Sequence, residues 1–492
     1  MANLQHRYKS DHKLSLIALS LPFLFMSLAN FAASMINTLV LALVPNQGII
    51  YSEAVGVASK IYLIFSVLTT FVISGIGVVV SQRIGQKEST AKLHESIYTA
   101  LSATIIFTLI ITVLAEIISP FVLFAFLNPG TQQYQNALIY VEVISLTTLL
   151  IIPKNALGAI VNSYGYVKQT IIWNVVGIII DTALTLIFVL VIDLGVLGSA
   201  MGTIIAHAIT FIYAFIIFNK KVIHFRFREL KLNSAVTKTL LKTSIPIGFE
   251  WVSYTFAMLV VGIFVAQIGF RIPSFLVKDG TSEVNLLNLG NTIIETFSNI
   301  ITITSIAFSQ GAIIICARQM GAQDYLGAKK IIQKAFIISL IADMAMALIF
   351  FFIQPFLIDF FKLTQPETVQ IYFNQWIRKI AFIPFLLLII LQIGRTVNII
   401  YLTGPMAYGN LIINSLFSVL NTWIVVIIFG FGSLYTANDR WGSAFYGING
   451  IYFLKTLDEL FRGLFNFYWW KSGRWNRDYK RKRTKNNNTV FG

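Results

Sequence analysis

Cysteine is almost absent from this chain, and charged residues are scarce. The single cysteine, Cys316, cannot form a disulfide bond within the chain or a cysteine-rich metal cluster. Charged residues make up 12% of the 492 residues, whereas soluble domains usually contain about 25%. Because 56% of the residues are hydrophobic, the polar side chains are too few to cover a water-exposed surface. The composition therefore excludes an ordinary soluble domain and indicates an integral membrane protein.

The motifs of common enzymes and ATP-driven pumps are missing as well. The sequence contains no Walker A phosphate loop, no histidine–glutamate zinc motif and no nucleophile elbow. We therefore expect no enzymatic activity, no cofactor and no direct use of ATP. The first apolar stretch lacks the features of a cleaved signal peptide, so we expect it to be a membrane span.

The net charge of +16 lies mainly in short loops and in the C-terminal tail. In a soluble protein this excess would suggest nucleic-acid binding, but membrane proteins use Lys and Arg in loops to fix their cytoplasmic side. The basic tail suits anionic lipid headgroups. We therefore expect membrane lipids, and no nucleic acid, as partners. The basic loops place both termini in the cytoplasm of a multi-pass cell-membrane protein.

Twelve apolar segments are long enough to cross a bilayer, which takes about 20 residues in a helix. They predict an all-α polytopic membrane protein with about twelve transmembrane helices. The predicted spans are 15–43, 54–80, 97–126, 137–160, 168–192, 196–218, 243–269, 288–316, 331–360, 371–394, 406–430 and 443–468.

Short motifs recur in the same order in the two halves of the chain. The matched pairs are Gly85 with Gly321, Asn174 with Asn414, Asp181 with Asn421, Thr182 with Thr422 and Gly198 with Gly442. Their slowly drifting offset indicates a duplication into two six-helix, pseudo-symmetric lobes. Each copy has an even number of spans, so both insert in the same orientation, and substrate sites of such repeats lie near the bilayer midplane. We thus expect a central cavity.

The repeat boundaries define the expected domains. They are an N-lobe at 1–218 with spans 1–6, a basic cytoplasmic linker at 219–242, a C-lobe at 243–470 with spans 7–12, and a basic cytoplasmic tail at 471–492.

Together these motifs resemble the multidrug and toxic compound extrusion (MATE) family. The family belongs to a superfamily that also contains flippases for polysaccharides and lipid-linked saccharides. The residues that carry the resemblance are Arg83-Ile84-Gly85-Gln86, Gln319-Met320-Gly321-Ala322, Asp181 before Gly198-Ser199-Ala200, and Asp458-Glu459-Leu460-Phe461-Arg462. The resemblance implies exchange transport, in which two lobes rock to expose a cavity to each side and protons or sodium ions enter as a solute leaves. It also implies substrates that are often amphipathic organic cations.

Asp181 is the clearest candidate for a functional charge. It lies near the middle of the apolar run 171–192, and an ionisable residue at that depth costs at least about 2.5–3.5 kcal/mol. Such a carboxylate can bind a proton, a sodium ion or a cationic substrate, or it can be held structurally by a hydrogen bond or a lysine. The resemblance supports a functional role, because many relatives carry an acid in this span.

Three polar residues are expected near Asp181 as further ligands. They are Asn37 in the first span, and Asn174 and Thr182 in the fifth. Many relatives have an acid where this chain has Asn37, and Asn where it has Gly177. Half of the N-lobe acid pair of the proton-coupled relatives is thus missing here, and we expect any ion coupling to rest on one carboxylate.

Four further ionisable residues inside the spans are weaker candidates. Lys60 can pair with Asp181, which would form a switch that a competing ion opens. Glu250 and Glu295 can face the central cavity or form buried pairs. His207 is expected to be a hydrogen-bonded packing residue. The triplet Asp458, Glu459 and Arg462 has helical spacing for pairing and is expected to be structural.

Lys154 and Arg395 are expected to extend to the cytoplasmic interface, as long basic side chains near span ends do. If they face the cavity instead, the site is cationic and favours an anionic or phosphate-bearing substrate. Asp343 lies mid-span in the ninth helix, and its face cannot be assigned from the pattern.

The leading hypothesis is a monomeric secondary antiporter that exports small amphipathic solutes in exchange for H⁺ or Na⁺. Asp181 would be the coupling group, with a possible sodium site beside it. The alternative is a flippase for a lipid-linked saccharide or another anionic lipid. A scaffold or receptor without transport is disfavoured, because a scaffold gains nothing from a buried charge.

Overall fold

The computed structural model describes most of the chain. The described residues are 15–42, 44, 48–124, 127, 129–271, 276–279, 282–362, 370–371, 377–428, 430, 432 and 444–476. The account below is restricted to them.

Eight α-helices make up the first half of the described chain. They are α1 (Leu16–Ala42), α2 (Gly48–Leu68), α3 (Thr70–Gly85), α4 (Thr90–Leu123), α5 (Gln132–Ser145), α6 (Thr148–Ser163), α7 (Val167–Leu186) and α8 (Gly195–Lys221). A π-helical turn (Ile187–Val191) extends α7, and a short 3₁₀ turn (Phe227–Glu229) follows α8.

Six α-helices and a small hairpin make up the second half. The helices are α9 (Ser234–Arg271), α10 (Leu286–Gly321), α11 (Tyr325–Lys362), α12 (Arg378–Tyr408), α13 (Ile412–Thr422) and α14 (Ala444–Ser472), and a π-helical turn (Trp423–Ile428) extends α13. Strands β1 (Leu276–Asp279) and β2 (Ser282–Asn285) pair antiparallel.

The helices confirm the predicted all-α membrane architecture over the described residues. The fourteen helices group into the twelve predicted spans because two spans are broken, one between α2 and α3 and one between α5 and α6. Eight described helical segments, one of them α5 and α6 together, are long and apolar enough to cross a membrane. The β1–β2 hairpin was not predicted. It lies between two spans, with Leu276 paired to Asn285 and Asp279 to Ser282.

The predicted end of the tenth span is wrong. The pattern ends it at 394, but α12 continues to Tyr408. The apolar run stops where Arg395, Thr396 and Asn398 begin, and all three are largely buried in the protein. Their polarity therefore marks a face that packs inside the bundle, and not the edge of the bilayer.

The chain forms two compact units. The first unit contains 1–252, 310–328 and 406–409, and the second contains 253–309, 329–405 and 410–492. The basic segment 219–242 thus belongs to the first unit. Tyr98 ties it down there, because the Tyr98 hydroxyl donates to the His224 carbonyl at 3.1 Å and accepts from the Arg226 amide at 3.0 Å.

Helices α7 and α8 form a tight antiparallel pair in the first unit. Asp193 and Gly195 adopt left-handed backbone conformations, with φ of 62° and 55°, and so reverse the chain between the helices. Further along, α8 lies so close to Gly177 that a Cβ there would meet the Thr210 methyl group. This close pairing brings the middle of α8 against Asp181.

The duplicated glycine loops meet each other inside the first unit. Gly85 lies against the Arg318 carbonyl and Gly321 against the Gln82 carbonyl, so closely that neither has space for a Cβ. Gln82 and Arg318 are 236 residues apart, as are the two glycines. The contact is therefore reciprocal, as at a two-fold interface.

Hydrogen bonds and a second glycine pair follow the same relation. Gln82 Nε2 donates to the Ala407 carbonyl at 2.6 Å, and Arg318 Nε donates to the Ser163 carbonyl at 3.2 Å. In the same unit, Gly75 packs against Ser244, and Gly311 packs against Ser20. The internal duplication is thus visible in contacts as well as in sequence.

We expect Gly85→Ala and Gly321→Ala to destabilise the protein by similar amounts, about 1–3 kcal/mol each, because an added methyl group meets backbone that cannot move aside. Gly56→Ala is the control, since nothing lies within 4 Å of a Cβ at that helical position, and alanine there should be neutral or stabilising. Thermal unfolding in detergent measures all three. Equal stability of the three variants would contradict the close reciprocal contact.

Candidate functional site

A cavity of about 410 Å³ lies within the first unit. Its walls come from α1, α2 and α5 to α8, and they combine aliphatic, aromatic and charged side chains. The lining residues are Asn30, Leu41, Val55, Ser59, Tyr62, Tyr140, Ile144, Lys154, Asn174, Gly177, Ile178, Asp181, Ser199, Thr203, Ala206 and His207. Its size and mixed lining suit a small amphipathic molecule.

Asp181 lies on the α7 wall of this cavity. Its Oδ1 accepts a hydrogen bond from Thr203 Oγ1 of α8 at 2.8 Å. The same hydroxyl lies 3.2 Å from the Ser199 carbonyl, one turn earlier on α8. Since a hydroxyl has a single proton, Thr203 can turn from the carboxylate to its own helix when a ligand takes its place.

Lys154 and His207 form a second polar group in the cavity. The Lys154 side chain is only 5% exposed, and its Nζ lies 3.2 Å from His207 Nδ1. An ammonium group has only donors, so His207 accepts through Nδ1 and keeps its proton on Nε2. The expectation that Lys154 extends to the membrane interface is therefore wrong, because α6 turns it inward against α8.

Tyr62 and Tyr140 contribute aromatic rings and phenolic hydroxyl groups to the cavity wall. Tyr62 lies 3.2 Å from Thr147 through their hydroxyl oxygens, at the break between α5 and α6. The Thr147 hydroxyl also donates to the Ile144 carbonyl at 2.5 Å. The Tyr62 hydroxyl of α2 thus lies next to the break in the fourth span.

The sequence-predicted ligands of α7 separate in the structure. Asn174 lines the cavity two turns before Asp181, and its Nδ2 donates to the Thr170 carbonyl at 2.9 Å and to Met26 Sδ at 3.2 Å. These bonds direct its amide nitrogen away, so Asn174 offers a ligand its amide oxygen. Thr182 lies beside Asp181 in sequence but is not part of the described lining.

Two predicted site residues have side chains outside the described part of the structure. Asn37 belongs to α1 and Lys60 to α2, but only their helical backbones are described. Ser59 and Tyr62, the close neighbours of Lys60, do line the cavity. The Lys60–Asp181 ion pair stays a prediction.

Glu250 and Glu295 do not line this cavity. Glu250 is half-buried on α9 in the first unit. Glu295 is on α10 in the second unit, where its Oε1 lies 2.6 Å from Lys455 Nζ. Glu295 is therefore ion-paired, but its side chain is 40% exposed and not buried.

Arg395 is also buried, contrary to the expected position at the interface. In the second unit its Nε lies 2.9 Å from Glu459 Oε1, and its other nitrogens donate to Ser298, Thr302 and Tyr254. Arg462 pairs with Asp458 at 2.7 Å and with Glu459 at 2.9 Å, as the helical spacing predicts. The helical spacing predicted an ion-pair network within α14 alone, and the structure adds Arg395 of α12 to it.

Lys154 and Arg395 occupy related positions in the duplication. They are 241 residues apart, within the range of the other repeat offsets. Both lie in the fourth span of their repeat. Arg395 is neutralised by a carboxylate, whereas Lys154 contacts a histidine. Asn421, which matches Asp181, donates to Asp458 Oδ1 at 2.7 Å. The two repeats therefore arrange the same kinds of groups differently.

Sequence reasoning missed several lining residues, including Thr203, Tyr62 and Tyr140. A usable signal existed on two helices. On α7 the lining positions 174, 177, 178 and 181 follow a helical period, and on α8 the positions 199, 203, 206 and 207 do the same. Polar residues at those intervals mark one face of each helix.

Comparisons with known proteins agree with this fold. The MatE family model matches residues 22–187. The uncharacterized transporter YisQ of Bacillus subtilis (strain 168) is 23% identical over 473 residues, covering 95% of this chain and 96% of that protein. The segment 22–187 is thus similar to the MatE family, and nearly the whole chain is similar to an uncharacterized transporter.

Solved MATE structures share the same fold over almost the whole chain. An outward-facing multidrug resistance MATE transporter of the MOP superfamily matches with a TM-score of 0.80 at 13% identity, covering 97% of this chain and 99% of that one. A MOP superfamily transporter from Pyrococcus furiosus, described as having a binding pocket of reverse polarity, matches with a TM-score of 0.79 at 14% identity, covering 96% and 98%. At these identities the likeness establishes the fold alone.

We expect His207→Phe to destabilise the protein by about 1–3 kcal/mol, because it leaves the buried Lys154 ammonium without its acceptor. His207→Gln keeps an acceptor near Nδ1 and should cost less. The measurement is thermal unfolding of both variants in the same detergent. If the two unfold together, the Lys154–His207 bond does not support the cavity wall.

Proposed function

We propose that this protein is a transporter of the MATE family, a secondary antiporter that exports small amphipathic solutes in exchange for H⁺ or Na⁺. Asp181 is the coupling carboxylate in this proposal. The observation that carries it is the cavity that places Asp181, Thr203 and the Lys154–His207 pair around one shared space. A coupling ion and a solute that share such a space can compete directly.

The exchange follows from the hydrogen bond to Asp181. An ion that binds the carboxylate neutralises it and competes with the Thr203 hydroxyl, which then turns to the Ser199 carbonyl. When the ion leaves, Asp181 regains its charge and its attraction for a polar or cationic part of the solute. The tyrosine rings and aliphatic side chains supply the apolar contact that an amphipathic solute needs.

The proposal includes a location and a direction. The basic loops and tail support a cell-membrane protein with both termini in the cytoplasm, and in this orientation export moves solute away from the side of the tail. Charge-selective binding of nucleic acid has no part in it. A monomer suffices, because every lining residue of the cavity comes from one unit of one chain.

The alternative is a flippase for an anionic lipid or lipid-linked saccharide, and Lys154 favours it. A buried ammonium in the cavity attracts phosphate. The Pyrococcus furiosus relative is described by a reversed polarity of its binding pocket and a different function. Formally, however, the described lining contains one lysine and one aspartate. This balance does not make a strongly positive cavity, and so the antiporter is preferred.

We expect Asp181→Asn to abolish gradient-driven flux of ethidium, a fluorescent amphipathic cation, in proteoliposomes under imposed pH or sodium gradients. The amide cannot gain or lose the charge that couples ion and solute. The matched control is Asp193→Asn, the same chemical change at an exposed position between α7 and α8. Parent-like flux in Asp181→Asn under both gradients would show that the coupling group lies elsewhere.

We expect Lys154→Met to separate the two proposed activities. Met keeps the length of the stem and removes the charge, so an exporter of cations should retain or improve ethidium flux. A flippase should lose the transfer of fluorescent phosphatidylglycerol between leaflets, measured by dithionite quenching. Lys168→Met, a change at an exposed position of α7, is the control. Lipid transfer by the parent, abolished in Lys154→Met, would favour the flippase.

A further inference from the structure

Asp343 is the one carboxylate of the buried charge cluster in the second unit that has no ion pair among the described residues. It lies in the middle of α11 with a side chain that is 0% exposed. The neighbouring acids are all paired, Glu459 and Asp458 with arginines and Glu295 with Lys455. Three cations thus match three carboxylates, and Asp343 remains outside that balance.

The hydrogen bonds to Asp343 are one-sided. Thr396 Oγ1 of α12 donates to its Oδ2 at 2.6 Å, and Ser305 Oγ of α10 donates to the same oxygen. Its Oδ1 is buried and has no hydrogen-bond partner within the described structure. An ionised carboxylate with a bare oxygen in this position is strongly disfavoured. A proton on Oδ1 removes the charge and leaves Oδ2 as the carbonyl oxygen that both hydroxyls bind.

A polar stripe on α10 connects this carboxyl with the rest of the cluster. Ser298, Thr302, Ser305 and Ser309 follow one another at intervals of four, three and four residues, so they share one helix face. Arg395 donates to the first two of them. The fourth lies 2.7 Å from the Thr403 hydroxyl. Each hydroxyl both donates and accepts, so the row offers polar groups along the path from Asp343 towards Arg395.

The charged groups that act on Asp343 are few. From α12, Arg395 acts on it electrostatically, but its guanidinium is already bound to Glu459. From α10, Glu295 lies three turns before Ser305 and is bound to Lys455 of α14. The acids and Arg462 of α14 pair among themselves and with Arg395. Movement that breaks the Arg395–Glu459 pair therefore exposes Asp343 to a cation that is no longer neutralised.

We propose that Asp343, with Ser305 and Thr396, is a second proton-binding site of the transporter, located in its second unit. The proton binds when Arg395 is paired with Glu459, and it leaves along the α10 stripe when that pair opens. Coupling is then shared between Asp181 and Asp343. Its transport role rests on the proposed antiport, but proton binding itself does not.

Infrared difference spectroscopy between acidic and alkaline pH, on the purified full-length protein, tests proton binding directly. The parent should show the carbonyl-stretch band of a protonated carboxylic acid that Asp343→Asn loses and Asp359→Asn keeps. Asp359 is the matched control, a half-buried aspartate on the same helix. If a folded Asp343→Asn protein keeps the whole carbonyl-stretch band of the parent, the proposal is overturned.

The hydroxyl partners give a second readout if Asp343→Asn does not fold. Thr396→Val removes a donor to Oδ2 and should move the band to higher frequency, whereas Thr396→Ser keeps the donor and should restore the parent position. A band that is identical in Thr396→Val and the parent would also overturn the proposal.

Transport separates this proposal from the antiport itself. In proteoliposomes, Asp343→Asn should retain ethidium exchange down its own gradient and lose the acceleration by a pH gradient. Parent-like acceleration in Asp343→Asn, together with its loss in Asp181→Asn, would remove Asp343 from coupling and leave the antiport intact. No acceleration in the parent would remove the antiport, while the infrared band would still decide proton binding.

Discussion

The structure depends on one constraint, the absence of water in the bilayer core. A charge placed there has no solvent to stabilise it, so it must be paired inside the protein or neutralised by a proton. The described spans satisfy this constraint in three ways. Arg395 and Arg462 are bound by carboxylates, Lys154 is bound by a histidine, and Asp181 and Asp343 are bound by hydroxyl groups. Among these groups, Asp343 is the carboxylate that has hydroxyl partners and no ion pair within the described residues.

The sequence predicted the helical architecture and the duplication because both are written as long patterns. Hydropathy gave twelve spans, and the repeated glycine loops gave the relation between the halves. It also identified Asp181, since a lone acid within an apolar run is conspicuous. Thr203 and Tyr62 were missed because a hydroxyl in an apolar helix is less conspicuous than a charge. The helical interval of the α8 lining residues marks a face, but it does not show which helix that face meets.

Arg395 shows why hydropathy fails for charges inside a bundle. A scale that sums along the chain reads a charge as the end of a span, but α12 continues for thirteen residues beyond it. Only the partners decide the matter, and Glu459 lies 64 residues away in sequence. Lys154 was misplaced for the same reason. Contacts between helices distant in sequence have no trace in a local pattern, and with a single sequence they stay hidden.

The reciprocal contacts of the glycine loops have a consequence for evolution and for motion. Gly85 contacts the Arg318 carbonyl, and Gly321 contacts the repeat-related Gln82 carbonyl. The same contact therefore occurs twice where the two helices cross. A rotation that separates one of these glycine–carbonyl contacts also separates the other, and an intermediate arrangement preserves neither contact. For the same reason, a side chain acquired in one copy cannot be accommodated by adjustment in the other. The duplication therefore produced a contact whose two repeat-related halves must separate at the same time.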